Sequence, residues 1–249
     1  MDAIATYALR LGDDSLILGQ RLSEWCGHAP ALEVDLSLAN VALDQVGQAT
    51  HFLNLAGELE GEGRDGDALA FRRDVMDFTN CLLVEQPNGD FAQTIARQLL
   101  FSHYQELLFT ALTASKNATI AAIAAKAVKE TSYHATLASD WVIRLGDGTD
   151  ESKARMVAGL DWMWRFADEL FLMDDVDAAA LNAGVGVDKA ALRPAWNARI
   201  DVTLAEATLV RPAPRRATTG GRIGRHSEHL GHLLSDMQFL QRAYPGATW

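Results

Sequence analysis

The stretch LDQVGQA, residues 43–49, sets two glutamines, Gln45 and Gln48, three positions apart on what reads as a long helix. That spacing puts both side chains on one face. A glutamate and a histidine at the same spacing would present a carboxylate and an imidazole together, which is how some helix bundles hold a pair of iron ions. Glutamine can hydrogen-bond, but it brings iron neither an anionic oxygen nor an imidazole. The motif stands where a metal-ligand pair would stand and lacks its chemistry. That contrast separates a catalyst from a partner.

The elements that must position these side chains are helices. Apolar residues recur at helical spacing nearly throughout, and no alternating strand runs bounded by turns are found. The first helix is expected at about 3–25, ended by Gly27 and followed by Pro30. The second covers about 30–59, and the polar segment GEGRDGD (61–67) follows as a loop. A short helix is expected at about 68–77. Pro87-Asn88-Gly89 reads as a turn, with Asp90 an N-cap for a helix over about 90–114. The next spans about 118–145, and the loop GDGTD leads into a helix over about 151–171. Beyond Met173 the pattern weakens into shorter helices. A Pro/Arg/Gly loop at 211–225 and a last helix at about 227–243 complete the chain.

Four helices share an apolar stripe with polar residues near mid-length. The first has Ile4, Ala8, Leu11, Leu18, Leu22 and Trp25, interrupted by Ser15. The second has Leu38, Val41, Ala42, Ala49 and Phe52, interrupted by Gln45 and Gln48. The third has Phe91, Ile95 and Phe109 around Ser102 and Glu106, and the fourth has Ile120, Ile123, Ala127, Ala138 and Trp141 around Thr131 and His134. The helical period places each set on one inward face. Helices of about 24 to 30 residues span roughly 36–45 Å at 1.5 Å per residue, the proportions of a long four-helix bundle. A polar layer at its middle is where a metal site would sit.

Composition narrows the partners. The formal charge of -11 argues against general nucleic-acid or anionic-membrane binding. Two cysteines, Cys26 and Cys81, form neither a disulfide framework nor a zinc pattern, which suggests a reducing cytosol. The N-terminal text lacks the basic and apolar regions of a secretory signal. No stretch approaches the roughly 20 apolar residues of a membrane span. A soluble, cytoplasmic protein is expected.

Longer blocks of text carry a resemblance. LRLGDDSLILGQRLSEWCGHAP, LEVDLSLANVALDQVGQA, LLVEQPNGDFAQTIARQ, KETSYH and TGGRIGRHSEHLGHLLSDMQFLQR resemble the paired large subunits of bacterial ring-1,2-phenylacetyl-CoA epoxidases, multicomponent monooxygenases of phenylacetate degradation. The nearer likeness is to the non-catalytic, structural C-type subunit. The blocks span almost the whole chain. The resemblance implies an all-α, ferritin-like four-helix bundle with additional C-terminal helices over about 150–249, a single domain across 1–249. It implies a hetero-oligomer with a catalytic A-type subunit that holds the di-iron centre, a small B-type subunit, and a reductase with NADPH, FAD and an iron–sulfur cluster. By the same comparison, Gln45 and Gln48 replace one Glu-x-x-His pair, and Thr131 replaces the glutamate of the other while His134 remains. Ser15 falls where the first helix would supply a glutamate; on the third helix the equivalent is near Ser102 or His103. No cofactor is expected in this chain.

These replacements make sense together. A di-iron centre needs about four carboxylates and two histidines. Carboxylates kept in the core without metal would cost several kcal/mol per unpaired charge. Ser15, Gln45, Gln48, Thr131 and His134 are therefore expected to form a metal-free polar plug, each group hydrogen-bonded.

Other constellations compete for a role. Glu130 with His134, and His103 with Glu106, could be remnants of a metal site in a stand-alone metal-dependent oxidoreductase. The plainer reading turns Glu130 outward and hydrogen-bonds His134 in the core. His226, Glu228, His229 and His232 resemble a metal cluster, but histidines every three residues drift around a helix. Capping by Ser227 and docking against a neighbouring helix account for them better. The loop RPAPRRATTGGRIGR holds five arginines, among them Arg215, Arg216, Arg222 and Arg225. With His226, Glu228 and His229 they could contact a partner or an anion such as a CoA phosphate, or the loop could simply be solvated. Trp162, Trp164 and Phe166 cannot all face one way, so some are expected in the core and others against another subunit. A helical binding module unrelated to oxygenation is the remaining alternative.

Overall fold

A computed structural model describes residues 2–247, and every regular element among them is helical. The chain divides into two compact units, one formed by Met1–Gln86 with Gly220–Trp249 and the other by Pro87–Thr219.

The first unit is built on α1 (Ala3–Ser23) and α2 (Leu32–Glu60), joined by a short loop and packed along each other. Asp2 caps α1 by accepting from the Ile4 N–H at 3.3 Å. Gly61, in the left-handed region at φ 72°, ends α2. The inward stripe of α2 falls where expected: Leu38, Val41, Ala42, Ala49 and Phe52 are buried, as are Gln45 and Gln48. On α1 the expectation of a single apolar stripe needs correction. Arg10, Asp13, Asp14 and Arg21 on its other side are buried too. The cover comes from α3 (Gly66–Phe71), the segment through α4 (Leu82–Glu85), and α10 (Glu228–Met237) with α11 (Phe239–Ala243). The expected helix at 68–77 resolves into α3 and a separate turn at Val75–Asp77, and the expected last helix breaks at Gln238.

The second unit is built on α5 (Phe91–Leu112) and α6 (Ala118–Gly146), with α7 (Asp150–Trp164), α8 (Asp175–Asn182) and α9 (Lys189–Glu206) packed around them. Asp90 caps α5 through the Gln93 N–H at 2.9 Å, as its position suggested. The helix expected over 151–171 ends at Trp164, and Ala167–Phe171 continues as a tight 3-10 turn. Pro194 lies inside α9, where it removes one backbone hydrogen bond. The helix persists because Trp196, Ile200 and Leu204 bury one face. The Trp196 indole donates to the Leu100 carbonyl at 2.9 Å and packs edge-on against Phe171. Of the aromatic trio, Phe166 is buried, Trp164 packs on Trp196, and Trp162 is 37% exposed.

Candidate functional site

Within the first unit, α1 and α2 bring Ser15 and Gln48 together. The Ser15 hydroxyl lies 3.5 Å from the Gln48 side-chain oxygen, and both groups are buried. Gln45 lies one turn before Gln48 on the same inner face, 1% exposed. The 3.6-residue period and the apolar neighbours Val41, Ala42, Ala49 and Phe52 fix both amides inward. Ser15, Gln45 and Gln48 are all uncharged.

In the second unit, α6 buries Thr131 and His134 at 0% and 2% exposure. The Thr131 hydroxyl donates back to the Ala127 carbonyl at 3.0 Å, so its hydrogen-bonding capacity is spent on its own helix. Tyr133 packs edge-on against the His134 ring. On α5, Ser102 and His103 are both buried. His103 Nε2 stands 2.9 Å from the Ser139 hydroxyl, which lies 3.3 Å from that of Thr203. Burial, reinforced by the nearby Arg199 charge, lowers the His103 pKa to about 4, so this imidazole is neutral at ordinary pH. Glu106 pairs with Arg199 at 2.5 Å, and Glu130 approaches Lys126 at 4.0 Å.

A buried ionic network, not foreseen from the sequence, runs through the first unit. Asp13 accepts two bonds from the Arg73 guanidinium, and the Thr79 N–H and hydroxyl at 2.8 and 2.9 Å. Asp14 accepts the Cys81 N–H at 2.7 Å and a fork of bonds from Arg222 at 3.0 and 2.7 Å. Glu85 gathers His226 Nδ1 at 2.6 Å, the Ser227 N–H and hydroxyl at 2.7 and 2.8 Å, and the Asn80 amide at 2.9 Å. Arg21 donates to the carbonyls of Glu85 and His229. A sequence signal for this existed. Two adjacent aspartates inside an apolar helix demand cationic partners, because an unpaired buried charge is prohibitive.

The loop arginines therefore part company. Arg222 is turned inward onto Asp14, and His226 onto Glu85, so both meet carboxylates of their own chain. Ser227 occupies the N-cap position of α10, yet its hydroxyl serves Glu85 and makes no capping bond. Arg215 pairs with Asp161, and Arg211 with Asp201 at 2.5 Å. Arg215, Arg216, Arg225 and Glu228 are exposed, while His229 is half-buried.

A di-iron centre asks for anionic oxygens and imidazoles converging from several helices. The positions that would supply them in the first unit hold a hydroxyl and two amides, and its buried carboxylates Asp13, Asp14 and Glu85 are already matched by Arg73, Arg222 and His226. Among the described residues, no group of three or more His, Cys, Asp or Glu side chains could hold a metal ion. The residues do not fit a di-iron centre. No helix among the described residues is long and apolar enough to cross a membrane.

Comparison with known proteins follows this geometry. The chain matches the family described as phenylacetic acid catabolic protein across residues 1–249. It is 51% identical over 249 residues to the C-type subunit of the 1,2-phenylacetyl-CoA epoxidase of Escherichia coli (strain K12), covering 100% of both chains. That family is ferritin-like and helical, in keeping with the all-α fold.

Proposed function

Because the chain belongs to the phenylacetic acid catabolic protein family, we propose that it is the C-type subunit of a phenylacetyl-CoA 1,2-epoxidase, binding and stabilising a separate catalytic subunit that holds the di-iron chemistry. The observation that carries this reading is the inner face of α2. Gln45 and Gln48 are buried side by side where a ligand pair would stand, and both are neutral. Neutral amides suit a core that holds no cation, because they avoid the cost of an unpaired buried carboxylate. Ser15, Gln45, Gln48, Thr131 and His134 then form polar packing, and this subunit has no cofactor of its own.

The partners follow from the same reading: the catalytic A-type subunit, a small B-type subunit, and a reductase using NADPH, FAD and an iron–sulfur cluster. The family match runs unbroken across both compact units, which supports a single functional domain. Two free cysteines, Cys26 exposed and Cys81 buried, suit a cytoplasmic setting. The rival of a stand-alone metal enzyme has less to work with, since Glu106 pairs with Arg199 and His103 with Ser139.

Co-expression with a ligand-complete catalytic subunit tests the proposal. A stable co-purified complex is expected, with turnover following substitutions in the other chain. His134→Ala in the assembled complex should leave most activity in place. Unassisted turnover by this chain, or loss of turnover in a correctly assembled His134→Ala complex, would overturn it.

A further inference from the structure

The helix that carries Gln45 and Gln48 on its inner face has an unusual outer one. Leu32, Leu36, Leu43 and Val46 are 71, 57, 69 and 41% exposed, and Ala39 between them is half-buried. They step by four and three residues in alternation. Single exposed leucines are ordinary, but this line follows the seam repeat with which one helix packs against another.

Gly47 beside this seam gives independent support. Three other glycines of α1 and α2 are explained within the chain, because a Cβ on Gly12 would strike Leu53, on Gly19 Val46, and on Gly57 the Arg64 carbonyl. A Cβ on Gly47 would meet nothing within 4 Å. Glycine inside a helix is less stable than alanine, so the fold of this chain supplies no reason for it. Close approach of another backbone does.

Charge selects the occupant. Helix α2 bears Glu33, Asp35, Asp44, Glu58 and Glu60 and neither Lys nor Arg. Packing α2 on its copy in a second molecule would set these carboxylates against each other. Resting on the function proposed above, we infer that the outer face of α2, along Leu32, Leu36, Leu43, Val46 and Gly47, docks a helix of the catalytic subunit that has an apolar seam and Lys or Arg on its flanks.

The test is co-purification of the catalytic subunit with the wild-type chain and with Leu43→Glu, Gly47→Trp, Gly47→Ala and Met76→Glu variants, each checked for helicity and Tm alone. Leu43→Glu and Gly47→Trp should weaken the complex by about thirtyfold or more, as at an interface hot spot. Gly47→Ala should raise the Tm of the isolated chain. Met76→Glu, at another exposed apolar side chain, should bind like wild type. Because Leu43 is largely exposed, Leu43→Glu remains informative if Gly47→Trp fails to fold. If the wild-type chain binds and Leu43→Glu binds equally well, the docking face is wrong while the subunit function stands. If wild type does not bind the catalytic subunit, both fall. If the chain self-associates and Leu43→Glu abolishes that, the occupant is a second copy and the inference is overturned.

Discussion

His226 Nδ1 and a carboxylate oxygen of Glu85 stand 2.6 Å apart, with side chains only 1% and 0% exposed. This pair, with Arg222 on Asp14, ties the C-terminal segment of the first unit to α1 and to the segment ending in α4. Removing one partner of a buried pair leaves an uncompensated charge, which typically costs about 3–5 kcal/mol. Glu85→Ala is expected near the top of that range, because Ser227 and Asn80 lose their acceptor as well. Urea denaturation of the purified chain measures it.

The same pair sets an alkaline limit. Burial opposes the charged imidazolium of His226, but the Glu85 hydrogen bond and charge, the Phe78 carbonyl and the Asp13 charge outweigh it and raise the pKa. A pKa raised above the unfolded value of about 6.5 stabilises fully below that pH. The contribution is lost as pH rises through the folded value. His226→Gln should therefore flatten the decline in stability over about pH 6–9, as measured by denaturant midpoint.

His103 has the opposite sign. Its folded pKa of about 4 lies below the unfolded value, so only the unfolded chain takes up this proton between them. Stability falls as pH drops from about 6.5 to 4, by about 3 kcal/mol at the end of that window. NMR titration should find His103 neutral at pH 6, and His103→Gln should soften the acid limb.

Arg222→Ala should act through folding. The substitution strips Asp14 of its cationic partner, so a loss of about 3–5 kcal/mol is expected by denaturation. The exposed Arg216→Ala should change stability by less than about 0.5 kcal/mol. Equal effects of the two would show that Arg222 lies at the surface.

Gln45→Glu probes the polar core. A carboxyl placed at this buried site has its pKa raised by desolvation, so its cost grows as pH rises above about 4.3. The variant should be several kcal/mol less stable than wild type at pH 8 and recover part of that at pH 5. Thermal melts at the two pH values report the difference.

Much of this is legible in the residues themselves. Gly27 and Pro30 mark the break between the first two helices, Asp90 caps α5, and the period around Gln45 and Gln48 gives their inward direction. Helix α9 reads only as part of a run of shorter helices because Pro194 interrupts the pattern that Trp196, Ile200 and Leu204 sustain. Glu85 and His226, and Asp14 and Arg222, are far apart in sequence, so nothing local announces either pair. Gly221 and Gly224 do flank Arg222 for a reason: a Cβ on Gly221 would run into the Asn80 carbonyl, and one on Gly224 into that of Met76. Spacing alone does not reveal such a contact, and the loop arginines read as surface charge.

Iron content of the purified chain, expressed with iron and measured by elemental analysis beside a ligand-complete catalytic subunit treated alike, tests the central claim most directly. With Gln45 and Gln48 at the ligand positions of α2, this chain should retain only traces of iron while the catalytic subunit retains its pair. Two iron ions per molecule of this chain, surviving a chelator wash, would contradict the account.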